Sequence, residues 1–172
     1  MQLHEGGVSA LRKLKVYLDT SIVSYLDQQD APDKMNETLR LWELFRQEKF
    51  DVYISDVVIR EINQCPPEKL TVLQRFLDEI SYTVIETDES TLELAEKFID
   101  FGILRQKSLD DCQHIAAAII SGCDIITSWN FKHIVNVKTV RGVKTITTLE
   151  GYKDLLIYPP SILIESEEEE NG

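Results

Sequence analysis

Short β-prone runs alternate along this chain with longer stretches of helical periodicity, and that alternation narrows the choice of fold more than any other feature. Lys15-Val16-Tyr17-Leu18, Asp51-Val52-Tyr53-Ile54 and Tyr82-Thr83-Val84-Ile85 read as three strands, and Asp124-Ile125-Ile126-Thr127 as a short buried fourth. Residues 33–48 carry Met35, Leu39, Trp42 and Phe45 on one helical stripe. A further helix carries Leu70, Leu73, Phe76, Leu77 and Ile80, and another, capped by Thr87 or Asp88, turns Leu92, Ala95, Phe98 and Ile99 inward. Cys65-Pro66-Pro67 and Gly102 stop helices, and a last strand is expected near 143–148. This pattern predicts an α/β fold, a three-layer α/β/α sandwich with a mainly parallel central sheet.

The stretch from Ser108 to Asn130, SLDDCQHIAAAIISGCDIITSWN, holds the first chemical anomaly. Ser108 followed by an acid at the third position is the pattern of a capped helix start, and Gly122 ends the helix. Counting helical positions from Asp111 gives Ile115, Ala118 and Ile119, a core-facing stripe. Counting from Asp110 gives Gln113, His114, Ala117 and Ser121, a more polar face. Asp111 therefore continues a buried stripe, where a carboxylate needs a partner; the alternative is a capping acid bonded back to Ser108.

Glu61 is the second anomaly. In the helix that Ser55 is expected to cap, it shares a face with Val57, Val58 and Ile62, a full turn beyond the reach of capping. Asp19 follows the first strand in Asp19-Thr20-Ser21, which suits a helix cap as well as a site. Asn130 follows the fourth strand, and the helix carrying Asp111 starts at the same edge. In parallel sheets that edge, beyond the carboxyl ends of the strands, is where ligands bind. Three carboxylates gathered there repel one another and raise at least one pKa, and a hard cation such as Mg²⁺ or Mn²⁺ resolves the repulsion.

The net charge of −12 argues against nonspecific nucleic-acid binding, so such a ligand would need a local basic surface. From Asp124 to Glu150 there is no acid, and the interval holds Lys132, Lys138, Arg141 and Lys144. Two readings stand, a phosphate-contacting surface or lysines guarding a sheet edge. Glu165 to Gly172 is an acidic tail expected to be solvated and disordered, and residues 1–14 an N-terminal extension with Arg12-Lys13 as a basic patch. A single domain is expected over 15–164. The three cysteines fit neither a disulfide framework nor a zinc site, and no apolar run is long enough to span a membrane, so a reducing, cytoplasmic setting is expected.

VYLDTSIVSYL around Asp19, SDVVIREI around Glu61, DDCQHIAAAI around Asp111 and IITSWNFKHI around Asn130 together resemble the PIN-domain family over about residues 15–150. That family comprises small metal-dependent nucleases and includes the VapC-like toxins of type II toxin–antitoxin pairs. The resemblance implies RNA phosphodiester hydrolysis, with Asp19, Glu61 and Asp111 as ligands of Mg²⁺ or Mn²⁺. Asp111 rather than Asp110 takes the third place, because Ile115-Ala116 and Ala118 keep the family's register. The fourth position, often Asp in the family, is Asn130 here, so the site carries one charge fewer. Thr20 or Ser21 supports Asp19 or a phosphate, or simply caps a helix. A cognate antitoxin and a homodimer are the implied protein partners. His114 and His133 are expected to be surface or structural residues, and Cys112 lacks a histidine partner for nucleophilic work. Two other readings remain open: a PIN-fold protein-binding module with weak catalysis, and an aspartyl phosphotransfer or phosphatase domain using Asp19. The second lacks another Asp two residues on.

Overall fold

The computed structural model describes residues 12–172. Its strands are β1 (Lys15–Leu18), β2 (Asp51–Ser55), β3 (Tyr82–Ile85), β4 (Ile125–Thr127) and β5 (Leu156–Tyr158). They form one sheet in the order β3-β2-β1-β4-β5, and every pair is parallel. Helices α1 (Thr20–Ser24) and α2 (Pro32–Arg46) connect β1 to β2, and α3 (Asp56–Ile62) and α4 (Pro67–Asp78) connect β2 to β3. The chain returns through α5 (Glu89–Asp100) and α6 (Leu109–Ile120) to β4, then α7 (Val137–Glu150) leads to β5 and α8 (Pro160–Glu170) follows.

The sheet grows from β1 in both directions, first towards β3 and later towards β5. Right-handed crossovers then put the two sets of helices on opposite faces. Accordingly α5 packs on α6 and α7, whereas α2 packs on α8. This is the expected three-layer α/β/α sandwich. Val16, Tyr17 and Leu18 of β1 are wholly buried, as a central strand covered on both faces requires. The crevice between β1 and β4, where the chain's direction of growth reverses, opens at the carboxyl ends of these strands.

Several local expectations are corrected. Residues 143–148 lie inside α7, and the last strand is β5. Their run of β-branched residues suggested a strand, but Thr139, Val143, Ile146 and Thr147 form a buried helical stripe. Gly142 lets that helix close on α5's neighbour Ile103, whose side chain would meet a Cβ there at 2.6 Å. The acidic segment expected to be disordered continues α8 through Glu170. Leu163 and Ile164 anchor it in the core, and Lys49 and Arg40 pair with Glu167 and Glu168. Neither Ser108 nor Ser55 makes a capping bond, whereas Asp88 caps α5 through the Thr91 N–H at 3.0 Å. Residues 1–11 of the expected extension lie outside the described residues. Among the described residues no helix is long and apolar enough to cross a membrane.

Candidate active site

Asp19 leaves β1 and opens α1, so the end of the central strand delivers a carboxylate directly to the crevice. It is 4% exposed. Its Oδ1 accepts from the Ser21 hydroxyl at 2.6 Å and the Ile22 N–H at 3.4 Å, and Oδ2 accepts from the Ser128 hydroxyl at 2.7 Å. Ser21 in turn accepts from the Trp129 N–H at 2.9 Å, tying α1 to the segment after β4. Asp19 is thus a helix cap and a site candidate at once. Burial pushes its pKa up, against the opposing pull of His114 and of the two hydroxyls.

Glu61 comes from the last turn of α3 and meets a residue that sequence reasoning had set aside. His114 is buried, and its Nε2 lies 2.6 Å from Glu61 Oε1, while its Nδ1 lies 2.7 Å from the Tyr17 hydroxyl. Tyr17 is bonded onward to Ser55 Oγ at 2.7 Å, which is why Ser55 does not cap α3. Thr20 donates to the same Oε1 at 2.9 Å. Burial raises the Glu61 pKa, but the bonds and charge from His114 and the Thr20 bond outweigh it and leave a net lowering. The helical count from Asp110 had put His114 and Ala117 on a polar face. Both are buried, because α6 is covered almost all round.

Asp111 lies in the first turn of α6, and its Oδ1 accepts from Asn130 Nδ2 at 3.2 Å. Asn130 Oδ1 accepts the His133 N–H at 2.9 Å, and the Asn130 N–H donates to Ser128 Oγ at 2.9 Å. The amide therefore links the third carboxylate to the loop after β4. Burial raises the Asp111 pKa, His114 and His133 pull it down, and Asp19 and Glu61 push it up again. The three acids thus lie close enough to feel one another's charge. Asp110 points elsewhere, pairing with Arg60 at 3.0 Å on the surface. Burial pushes the Cys112 thiol up to about 12, which leaves it inert as a nucleophile.

The oxygens that face the crevice are those of carboxylates and hydroxyls, while Asn130 turns its amide nitrogen to Asp111, and oxygen donors of this kind suit a hard divalent cation. Both protein bonds to Glu61 fall on Oε1 and the bond to Asp111 falls on Oδ1, so each carboxylate keeps its second oxygen for a ligand. Among the described residues no three His, Cys, Asp or Glu side chains converge closely enough to hold a metal ion by themselves. The residues fit Mg²⁺ in kind, and in number they fit its habit of keeping several waters beside one or two carboxylates.

The four basic candidates divide. Lys132 and Lys138 line a cavity on the α6 side of the loop, whereas Arg141 and Lys144 line another beside β5, where Lys144 pairs with Asp154 at 3.1 Å. All but Lys132 are on the helix α7, and Arg141 and Lys144 stand beside β5, the strand at one edge of the sheet. On the opposite side of the loop Lys34 Nζ lies 5.5 Å from the rings of Tyr25 and Trp129 and 5.7 Å from that of Phe131.

No protein-family model matches the sequence, and no curated protein matches it. In three dimensions the chain is similar to a chain in the crystal structure of VapBC2 from Rickettsia felis bound to a DNA fragment from its promoter. The TM-score is 0.53 at 16% identity, over 85% of this chain and 98% of that one. VapBC2 is a PIN-domain toxin–antitoxin complex. The fold is PIN-like. At that identity the likeness concerns the fold, and the chemistry rests on the residues described above.

Proposed function

We propose that this chain is a Mg²⁺- or Mn²⁺-dependent endoribonuclease hydrolysing RNA phosphodiesters, and the toxin of a toxin–antitoxin pair. The observation that carries the proposal is the electrostatic state of the crevice. Asp19, Glu61 and Asp111 come from three different elements to the rim at the switch point of a parallel sheet, burial pushes the Asp19 and Asp111 carboxyls up, and among the described residues no Lys or Arg is bonded to any of the three. Such an assembly is suited to a divalent cation supplied from outside.

When bound, the cation supplies a water of lowered pKa and stabilises charge on phosphoryl oxygens. The chain's own groups hold the rest in place. Ser21 and Ser128 orient Asp19, His114 and Thr20 orient Glu61, and Asn130 orients Asp111. Asn130 offers a neutral donor where a fourth acid would add charge, so the cation is held by less charge than in a four-acid site. Lys132 and Lys138 supply positive charge for the RNA backbone beside the acids. Similarity to a chain of a toxin–antitoxin complex supports an antitoxin as partner; a homodimer is the other assembly proposed.

Purified chain incubated with structured RNA in Mn²⁺, and separately in EDTA, tests the proposal. Cleavage in Mn²⁺ alone is the expected result. A parallel assay on a phosphate monoester separates it from the phosphatase reading, because turnover of the monoester without RNA cleavage overturns it.

A further inference from the structure

The cavity lined by Lys132 and Lys138 also takes in two cations distant in sequence. Arg105 and Lys107, at the turn before α6, face them across about 320 Å³ of open space, with Ser108, His133, Asn136 and Thr139 as the rest of the polar lining. Among the described residues no Asp or Glu lines it. That is contrary to expectation in a chain of net charge −12, and like charges gathered without counterions destabilise a fold. Among the described residues none of Arg105, Lys107, Lys132 and Lys138 has an ion-pair partner.

Ser108 supplies an independent observation. It is 4% exposed and stands at the cap position of α6, yet its hydroxyl makes no capping bond. What remains to the side chain is the cavity it lines. Among the described residues only Thr127 Oγ1 is sealed off without a partner, so the Ser108 hydroxyl is open to the cavity and can donate to an acceptor there. The volume accommodates a phosphodiester and several waters, at about 30 Å³ per water.

A chain of hydrogen bonds links the wall of the cavity to the acids. His133 lines the cavity and donates its N–H to Asn130, which bonds to Asp111. Ser108 lies one turn before Asp111 on the same rim. We infer that this cavity is a phosphate subsite, holding an RNA phosphodiester adjacent in the strand to the one placed at the acids, with Arg105, Lys107, Lys132 and Lys138 as its charge and Ser108 as its neutral donor. The inference rests on the ribonuclease reading and adds Arg105, Lys107 and Ser108 to it, while leaving Arg141 and Lys144 outside.

The test is equilibrium binding of a labelled single-stranded RNA oligonucleotide to the full chain in EDTA, at several salt concentrations. The double variant Lys107→Ala, Lys132→Ala is expected to bind about tenfold more weakly or worse. Its plot of log affinity against log salt should be shallower by about 1.4, at ~0.7 for each phosphate charge left unneutralised. A control pair on α4, Lys69→Ala with Arg75→Ala, should bind as wild type does. Ser108→Ala should weaken binding a few-fold with the slope unchanged, because a hydroxyl releases no counterion. A pocket double variant that matches the control overturns the inference, as does a wild-type chain that binds no RNA. A polyglutamate peptide that binds in preference to RNA, and loses affinity in the pocket variant, gives the cavity to an acidic protein partner and overturns it too. Pocket-dependent RNA binding without Mn²⁺-dependent cleavage would contradict the nuclease reading alone. Cleavage with an unchanged KM in the pocket variant would contradict the subsite alone.

Discussion

Two aspartates on neighbouring central strands show how differently this fold treats a buried negative charge. Asp124 precedes β4 at the amino end of the sheet and is 8% exposed; Asp19 follows β1 at the carboxyl end and is 4% exposed. Burial would raise the pKa of both. At Asp124 the fold answers with Arg12 at 2.9 and 3.1 Å, with Lys153, and with the Lys15 N–H at 2.8 Å, and the carboxyl is held at about 2. At Asp19 it provides two hydroxyls and one N–H, and the pKa stays raised. Neutralising a buried carboxylate is therefore within this fold's means, and at one end of the sheet it is done completely. The carboxylate left without a bonded cation stands at the end where a ligand binds in parallel sheets. One carboxylate serves the fold, and in the proposed function the other is kept for a cation from outside.

Exchanging the two aspartates for asparagine should break that symmetry most sharply. Asp19→Asn, Glu61→Gln or Asp111→Asn should each lower Mn²⁺-dependent RNA cleavage by roughly two orders of magnitude or more, with the thermal midpoint in EDTA equal or higher for the two aspartates and lower for Glu61→Gln, whose charge His114 and Thr20 stabilise. Asp124→Asn should do the reverse. It leaves Arg12 and Lys153 without their counterion and should cost about 1–3 kcal/mol, with cleavage per folded molecule unchanged. Full activity in Asp19→Asn would remove that residue from the site.

His114 comes next. His114→Ala frees Glu61 from its orienting partner and strands the Tyr17 hydroxyl. A 10–100-fold fall in cleavage is expected, with about 1–3 kcal/mol of stability lost. Cleavage at the wild-type rate in a folded His114→Ala protein would reduce the histidine to a packing residue.

The two ends should also part company in pH. Asp124, with its pKa lowered to about 2, contributes stability that is present above its unfolded pKa and is lost as pH falls towards 2. That contribution is roughly 1–2 kcal/mol once screening of the exposed Arg12 and Lys153 is allowed for. Asp19 and Asp111, with raised pKa values, have the opposite sign. Their contribution is full below the unfolded carboxylate pKa and disappears as pH rises through the folded values. In EDTA, Asp19→Asn should therefore gain on wild type as pH rises through that range, and Asp124→Asn should lose on wild type as pH rises from 2 towards neutrality. Parallel pH profiles of the thermal midpoint for all three proteins would contradict the comparison.

Asp110→Asn should have the smallest effect. Its carboxylate meets Arg60 on the surface, so stability should change by less than about 0.5 kcal/mol and cleavage should remain. An essential Asp110 with a dispensable Asp111 would show that the wrong member of the pair had been placed in the crevice.

The strand–helix alternation was legible in the sequence because it depends on local spacing, whereas Asp19 and Asn130 drew notice from their places after strands and from the resemblance. Period-2 and period-3.6 patterns declared β1 to β4 and most helices, and Asp111 and Glu61 stood out as acids on apolar faces. What escaped depends on contacts distant in sequence. The β-branched run at 143–148 looked like a strand although Thr139, Val143, Ile146 and Thr147 share a buried helical stripe, and the close approach of Gly142 to Ile103 is a contact between segments far apart in sequence. The acidic tail reads as solvated until Lys49 and Arg40 are seen beside it. His114 carried a usable signal, since it lies one helical turn from Asp111, but a count begun at Asp110 assigned it to solvent. Arg105 and Lys107 carried none, because nothing local brings them to Lys132 and Lys138.

The central claim, that the carboxyl-end acids are kept for a cation, is tested most directly by following thermal stability as Mn²⁺ is added to the metal-free protein. A ligand that binds only the folded state raises its stability by about 2.7 kcal/mol at a hundred times its Kd. Wild type and Asp124→Asn should show the same rise with Mn²⁺ from their different starting points, and Asp19→Asn should show little or none. A wild-type midpoint indifferent to millimolar Mn²⁺, or an Asp19→Asn midpoint that rises as far as wild type's, would contradict the account.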